Sequence, residues 1–426
     1  MSNPSFLCVP YRYKASTLYS QVPSSALGDF NVVRSASNSA TRVNAAGFIE
    51  TVPDNVPRLD YPLGGITAGC PALLVEPTAQ NLCPRSQEIN LWTPNVATAT
   101  PNAAISPDGT QNAELFIPDV NQIGRVEINV GGLTVPTIYT LTCFMKQHTA
   151  SLDQITLYVS DGGSGTGGNR WGVNVNITGG FTLSNYNVGS VSVTSTSIEN
   201  YGNGWYRIRV TGQFTSGGAS CVAVIRYLGS TTNNGTNGVL VWGAQLEASS
   251  VPTSYIPTAA SAVTRGEDRI TKTGITSLIG QTEGTFYFEG EANFAATDLP
   301  SLNRSITNSI LLAKNASNQV VAYVYYGGVF LPIFATASAI TGPFKAALAY
   351  KQGSPGDTAF FVNGVQAGST NAATWAFTGG LNDVIVRADP YIAGGKPYKV
   401  RALGVYPTRI PNTAPSGVLS LQSLTQ

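Results

Sequence analysis

A single histidine, His148, ends an apolar run in a chain of 426 residues and limits the acid-base chemistry on offer. Serine and cysteine hydrolases take their base from a histidine within hydrogen-bond reach of the nucleophile. No G-x-S-x-G and no cysteine signature accompanies His148, so it reads as a surface histidine. Histidine-rich zinc sites are ruled out by the same count. The five cysteines, Cys8, Cys70, Cys83, Cys143 and Cys221, lie far apart and include no C-x-x-C pair. They read as reduced, mostly buried small hydrophobes, with Cys143 and Cys221 on strands. The glycine-rich stretch at 162–168 lacks the G-K-[ST] ending of a phosphate-binding loop.

Paired carboxylates are the other route to hydrolysis, because a glycosidase needs two acids about 5–10 Å apart. Glu289 and Glu291 share one face of an expected strand, and Asp153 and Asp161 flank another. Among 23 acidic residues such pairs arise by chance. Neither pair is assigned a catalytic role, and the chain is expected not to be an enzyme. Asp108-Gly109-Thr110 reads as a turn in which the aspartate bonds nearby backbone donors. A calcium site needs about six to eight oxygen ligands, and one is evident there. No cofactor and no metal is expected.

Five tryptophans offer flat faces of the kind that suit sugar rings. Trp205 and Trp242 sit in apolar strands and belong to the core, while Trp92, beside Pro94, closes the start of a domain. Trp171, after Arg170 at the end of the glycine-rich stretch, and Trp375, in a turn-rich segment, are the ones expected nearer the surface. Packing remains the first expectation even for these two.

The elements that must position these residues are strands. Charged residues make up only 11% and hydrophobic ones 42%, with Gly, Ser, Thr, Asn and Pro abundant. That mix suits short strands and many turns rather than helices, and it carries enough apolar surface to exclude disorder. The expected class is all-β. A net charge of +1, balanced along the chain, gives no basic face for nucleic acid. No stretch approaches the roughly 20 apolar residues of a membrane span, and no signal peptide is expected.

The length points to two or three domains. Residues 1–83 carry repeated Pro and Gly stops and scattered apolar anchors, Phe30, Val32, Val43, Phe48, Ile49, Leu59 and Leu73 to Val75. They are expected as an extended arm that orders on another subunit or a larger particle. Residues 84–260 read as a β-sandwich with strands at 137–146, 154–160, 205–214, 219–228 and 238–246. In WYRIRVT, Tyr206, Ile208 and Val210 alternate with Arg207, Arg209 and Thr211, the period of a half-buried strand. The last strand breaks at Pro252 and Pro257 into an extended linker. Residues 261–426 form a second sandwich, with strands at 285–294, 319–326, 344–351, 358–368, 383–389 and 398–407. Asn363-Gly364 between apolar runs signals a type I′ hairpin.

WGAQLE followed by SYIPT and then TRGEDRIT resembles the exit of a jelly-roll module common in tail and fibre proteins of tailed bacteriophages. ATRVNAAGFIE, NVPRLDYP and PALLVEPTAQNL resemble the opening segment of the same proteins, so the likeness spans residues 29 to 275. The FFVNGVQAG hairpin and VRALGVYPTRIP resemble a concanavalin or laminin-G-like lectin sandwich.

The resemblance implies an all-β chain, an extended N-terminal arm followed by a jelly roll and a lectin-like sandwich. It implies a non-enzymatic virion structural protein, a head or tail fibre, spike or capsid decoration, made in the cytoplasm of the bacterial host. Its partners are other virion proteins, reached through the arm, its own copies in a homotrimer, and a host surface glycan, with no nucleic acid and no membrane insertion. The competing reading is a free-standing carbohydrate-binding protein, or the binding portion of a glycan-processing enzyme. A sugar site in the first sandwich is expected at Trp171, stacked on the ring, with Arg170 and Tyr186 supplying hydrogen bonds.

Overall fold

The computed structural model describes residues 3–35, 39–149, 151–162, 168–229, 233–303, 305, 307–353, 357–369, 374–388 and 395–426. The chain is all-β, as its composition requires. Among the described residues the helical pieces are short turns such as Leu421–Thr425, and no helix is long and apolar enough to cross a membrane.

The first sandwich is two six-stranded antiparallel sheets. One runs Thr93–Asn95, Arg125–Gly131, Cys221–Tyr227, Gln154–Asp161, Arg170–Asn176, Thr182–Val188. The other runs Ala97–Ala104, Ala113–Pro118, Val239–Glu247, Tyr139–Gln147, Trp205–Phe214, Val191–Gly202. Alternation decides what each strand buries. In Trp205–Phe214, Ile208 and Val210 enter the core between the sheets with Cys143, Leu157 and Trp171. Arg207 and Thr211 point the other way and are buried too, 5% and 1% exposed, because the outer face of this sheet is covered by the rest of the chain.

Residues 1–83 do not form a free arm. Their Pro and Gly stops cut the segment into strands of two to four residues; most of these complete the second sandwich, while Ala40–Val43 and Ile49–Val52 pair with each other in a hairpin of their own. Phe6–Cys8 and Ala72–Val75 both pair with Tyr398–Tyr406, and Phe30–Val33 pairs with Arg269–Lys272. The expected anchors Phe30, Val32, Leu59, Leu73 and Val75 share one core with Phe286, Leu312, Leu348 and Val405. The apolar demand that suggested an outside partner is thus met within the chain. Both sheets of this second sandwich, one eight-stranded and one nine-stranded, contain N-terminal strands. Asn363 and Gly364 close the expected hairpin, both at positive φ.

The first sandwich is therefore an insertion in the second. The chain enters and leaves it through an antiparallel ribbon, Ala79–Asn81 against Val263–Arg265. Beside this neck lies a buried ion cluster. Arg58 bridges Glu76 (2.8 Å) and Asp268, Arg34 reaches Asp268 at 2.9 Å, and Arg265 stands 3.4 Å from Glu76. Burial alone would raise the Glu76 carboxyl, but Arg265, Arg58 and the Ser254 hydrogen bonds outweigh it and hold it at about 2. Residues 248–258, expected as an extended linker, are packed here. Tyr255 and Ile256 are buried, the Ser254 amide donates to Glu76 at 2.7 Å, and the Thr41 hydroxyl donates to the Tyr255 carbonyl at 2.6 Å. Asn81 ties both sides of the neck, donating to the carbonyls of Ala244 and Ile256.

Candidate functional site

The residues expected to hold a sugar lie on adjacent strands but on opposite faces of their sheet. Trp171 is fully buried in the first core, 6.3 Å from the Phe214 ring. Gly212 makes room for it, since a Cβ there would sit 2.7 Å from the indole. Stacking on a ligand is closed to this side chain. Arg170 and Tyr186 do meet on the outer face, Nη1 donating to the phenol oxygen at 3.3 Å, with Tyr186 packed 5.3 Å from Tyr158. The cue for Trp171 was present in the sequence: Trp171, Val173 and Val175 alternate, which marks a strand and not a loop end. Of the glycine-rich stretch before it, 163–167 lie outside the described residues.

The other sequence candidates resolve into structural roles. Trp375, expected nearer the surface, is 3% exposed and packs with Tyr350 and Phe377, its indole N–H 3.3 Å from the Thr358 hydroxyl. Trp205 and Trp242 are buried, as their apolar strands imply, and Trp92, between the turn Ile89–Leu91 and the strand Thr93–Asn95, is buried at the start of the first sandwich. Asp108 closes its turn by accepting from the Thr110 amide (2.8 Å), the hydroxyls of Ser106 and Thr110, and Asn112. Asp161 is bonded by the amide and side chain of Asn169, at the far end of its strand from Asp153. Glu289 accepts from the Tyr287 phenol at 3.0 Å. His148 is half-buried just past Tyr139–Gln147. Four cysteines are buried thiols, and Cys70 is exposed.

A cleft lies where three parts of the chain meet, a place that sequence patterning does not mark. It has a volume of about 240 Å³. Its floor is the outer face of the first sandwich, with Glu199, Tyr201 and Arg207 on the strands Val191–Gly202 and Trp205–Phe214. One wall is N-terminal, from Arg42, Asp60 and Tyr61; the opposite wall comes from the second sandwich, through Glu291, Asn293, Phe294 and Lys399. Glu291 and Lys399 are cross-strand partners, and register alone places them side by side.

Charge in the cleft is partly neutralised. Lys399 Nζ stands 2.8 Å from Asp60 Oδ2, and Arg42 Nε stands 2.7 Å from Glu50. Burial would lower the Lys399 ammonium, but Asp60, Glu291 and Glu199 outweigh it and hold it above the usual lysine range. Arg207 follows the same logic: burial lowers it, and Tyr201, Glu199 and Glu247 raise it further. Its guanidinium lies 5.5 Å over the Phe144 ring and donates to the Thr142 hydroxyl at 3.2 Å. Hydrogen-bond donors and acceptors therefore both line the concavity, together with the aromatic rings of Tyr61, Tyr201 and Phe294. Such a lining suits reversible binding of a small polar ligand, and junctions between domains are common places for it.

No protein-family model matches the sequence, and comparison with curated proteins finds no match. Solved structures give low-scoring likenesses. Domain 4 of AbnA, an extracellular arabinanase from Geobacillus stearothermophilus solved with arabinotriose, is 15% identical at a TM-score of 0.27, covering 38% of this chain and 73% of that one. The LG1-3 region of the laminin α2 chain is 13% identical at 0.24, covering 71% and 66%. The tail fibre protein gp63.1 of an E. coli phage is 9% identical at 0.21, covering 79% and 41%. Similarity this slight carries neither a fold assignment nor an activity to this chain.

Proposed function

We propose that this chain is a non-enzymatic structural protein of a bacteriophage virion, a fibre, spike or head decoration, that binds host surface glycan. One observation supports the reading above others. The segments on which the resemblance to phage tail and fibre proteins rests are the segments that build the junction. NVPRLDYP supplies Arg58 and Asp60, PALLVEPTAQNL supplies Glu76 and Asn81, WGAQLE supplies Gln245 and Glu247, SYIPT supplies Ser254, and TRGEDRIT supplies Arg265 and Asp268. Their polar letters are spent on holding two sandwiches in one fixed unit.

A rigid, largely uncharged unit with an open cleft is what a projecting adsorption module requires. The N-terminal strands are used inside the second sandwich, so attachment to neighbouring virion proteins falls to surfaces the fold leaves exposed. A homotrimer belongs to the same proposal and is read from the mass of the isolated protein. Immunogold labelling or cryo-electron microscopy of purified particles tests the whole. The protein is expected on the particle at a defined place, and its absence from particles overturns the virion reading in favour of a free-standing glycan-binding protein. The non-enzymatic part is tested separately: incubation with host polysaccharides should release no reducing ends.

A further inference from the structure

Arg207 is 5% exposed and lines the cleft, yet most of its donor capacity is unused. A guanidinium has five N–H donors. One bonds Thr142, the Tyr201 phenol is a second hydrogen-bond partner, and the buried Nε has no partner among the described residues. Among the described residues no carboxylate stands within ion-pair distance of it. A buried charge left this way is costly unless something else completes its bonding. The exposed Glu199 carboxylate on the same floor has no hydrogen bond among the described residues, and Glu291 on the wall has one, from Asn293 at 2.7 Å. The remaining charges are committed, Lys399 to Asp60 and Arg42 to Glu50.

What the cleft offers a ligand is thus one buried cation and two carboxylates. We infer that it takes a neutral saccharide through adjacent hydroxyls, Arg207 donating to hydroxyl oxygens and Glu199 and Glu291 accepting hydroxyl protons. A hydroxyl satisfies both kinds of partner at once, since it donates and accepts. A uronic or sialic acid would bring its carboxylate against Glu199 and Glu291. An amino sugar would bring its ammonium against Arg207 and Lys399. The volume, about 240 Å³, falls just below the roughly 300–1,000 Å³ of drug-sized sites, which leaves room for about one ring at the end of a glycan. The inference rests on the glycan-binding part of the proposed function and gives it a site and a sugar class.

The test uses the full chain on an array of neutral oligosaccharides printed beside their uronic-acid and sialic-acid counterparts, followed by calorimetry on the best neutral binder. Binding is expected to the neutral set. Glu199→Gln, at an exposed position, should weaken it at least tenfold with an unchanged unfolding midpoint. Arg207→Lys, which keeps the charge and removes the fork, should weaken it similarly, with near-ultraviolet circular dichroism confirming the fold. Binding confined to acidic glycans overturns the inference, as does neutral binding untouched by both substitutions. If no glycan binds but the protein sits on purified particles, the cleft inference falls and the virion reading stands. If neutral glycans bind through these residues but the protein is absent from particles, the reverse holds.

Discussion

Arg58 and Asp268 stand 210 positions apart in sequence and meet in a two-pronged ion pair, Nε on Oδ1 at 3.3 Å and Nη2 on Oδ2, with neither side chain more than 2% exposed. One belongs to the chain before it enters the inserted sandwich, the other to the chain after it has left. The pair therefore closes the neck. Arg58→Met should destabilise the protein by about 3–5 kcal/mol, since it leaves buried carboxylates short of a partner. Denaturant unfolding measures this; a loss below about 1 kcal/mol would mean that Arg34 and Arg265 carry the cluster alone.

Deleting residues 1–40 removes Phe6, Leu18, Phe30 and Val32 from the second core, together with strands that pair with Tyr398–Tyr406 and Arg269–Lys272. The truncated protein is expected to lose cooperative unfolding of the second sandwich, visible as a missing calorimetric transition. A truncation that retains both transitions would show that the N-terminal strands are dispensable after all.

That outcome bears on what could be seen beforehand. Alternation in 205–214 and the Asn363-Gly364 turn are local signals, and local signals fix strand direction and hairpin register. Phe30 and Val32 announce by alternation that one face must be covered, but a strand of four residues carries no information about what covers it. Its partner, Arg269–Lys272, lies far along the chain, beyond the reach of any window. The cleft was hidden for the same reason: Glu199, Asp60 and Lys399 come from three distant segments, and nothing local to any one of them announces the other two.

Trp171 illustrates the opposite case, in which the signal was local but overshadowed by the glycines before it. Its indole fills space between Phe214 and Gly212, and Trp171→Ala should cost about 3–5 kcal/mol through the cavity it leaves. Retention on glycan should be unchanged at temperatures where the variant is folded. Loss of retention with an unshifted unfolding midpoint would return Trp171 to the ligand.

Glu114 supplies a pH dependence whose direction is fixed by its surroundings. The side chain is 3% exposed, near the short helical turn Ile89–Leu91, and its Oε2 has no hydrogen-bond partner among the described residues. Burial pushes the carboxyl up to about 8; backbone hydrogen bonding at Asn90 and Ile89 pulls it back only in part, and Glu88 adds to the rise. In the unfolded chain the same group titrates near 4.5. Folding therefore takes up a proton between these values, and the stability tied to Glu114 is greatest below about 4.5 and drains away as pH rises through about 8. Glu114→Gln keeps the shape and has no proton to take up. Thermal unfolding followed from pH 5 to pH 9 should show the variant gaining on the native protein across that window, by roughly 2–6 °C at the alkaline end. Curves that stay parallel would mean that the carboxylate is ionised in the fold and compensated by a group outside its present contacts.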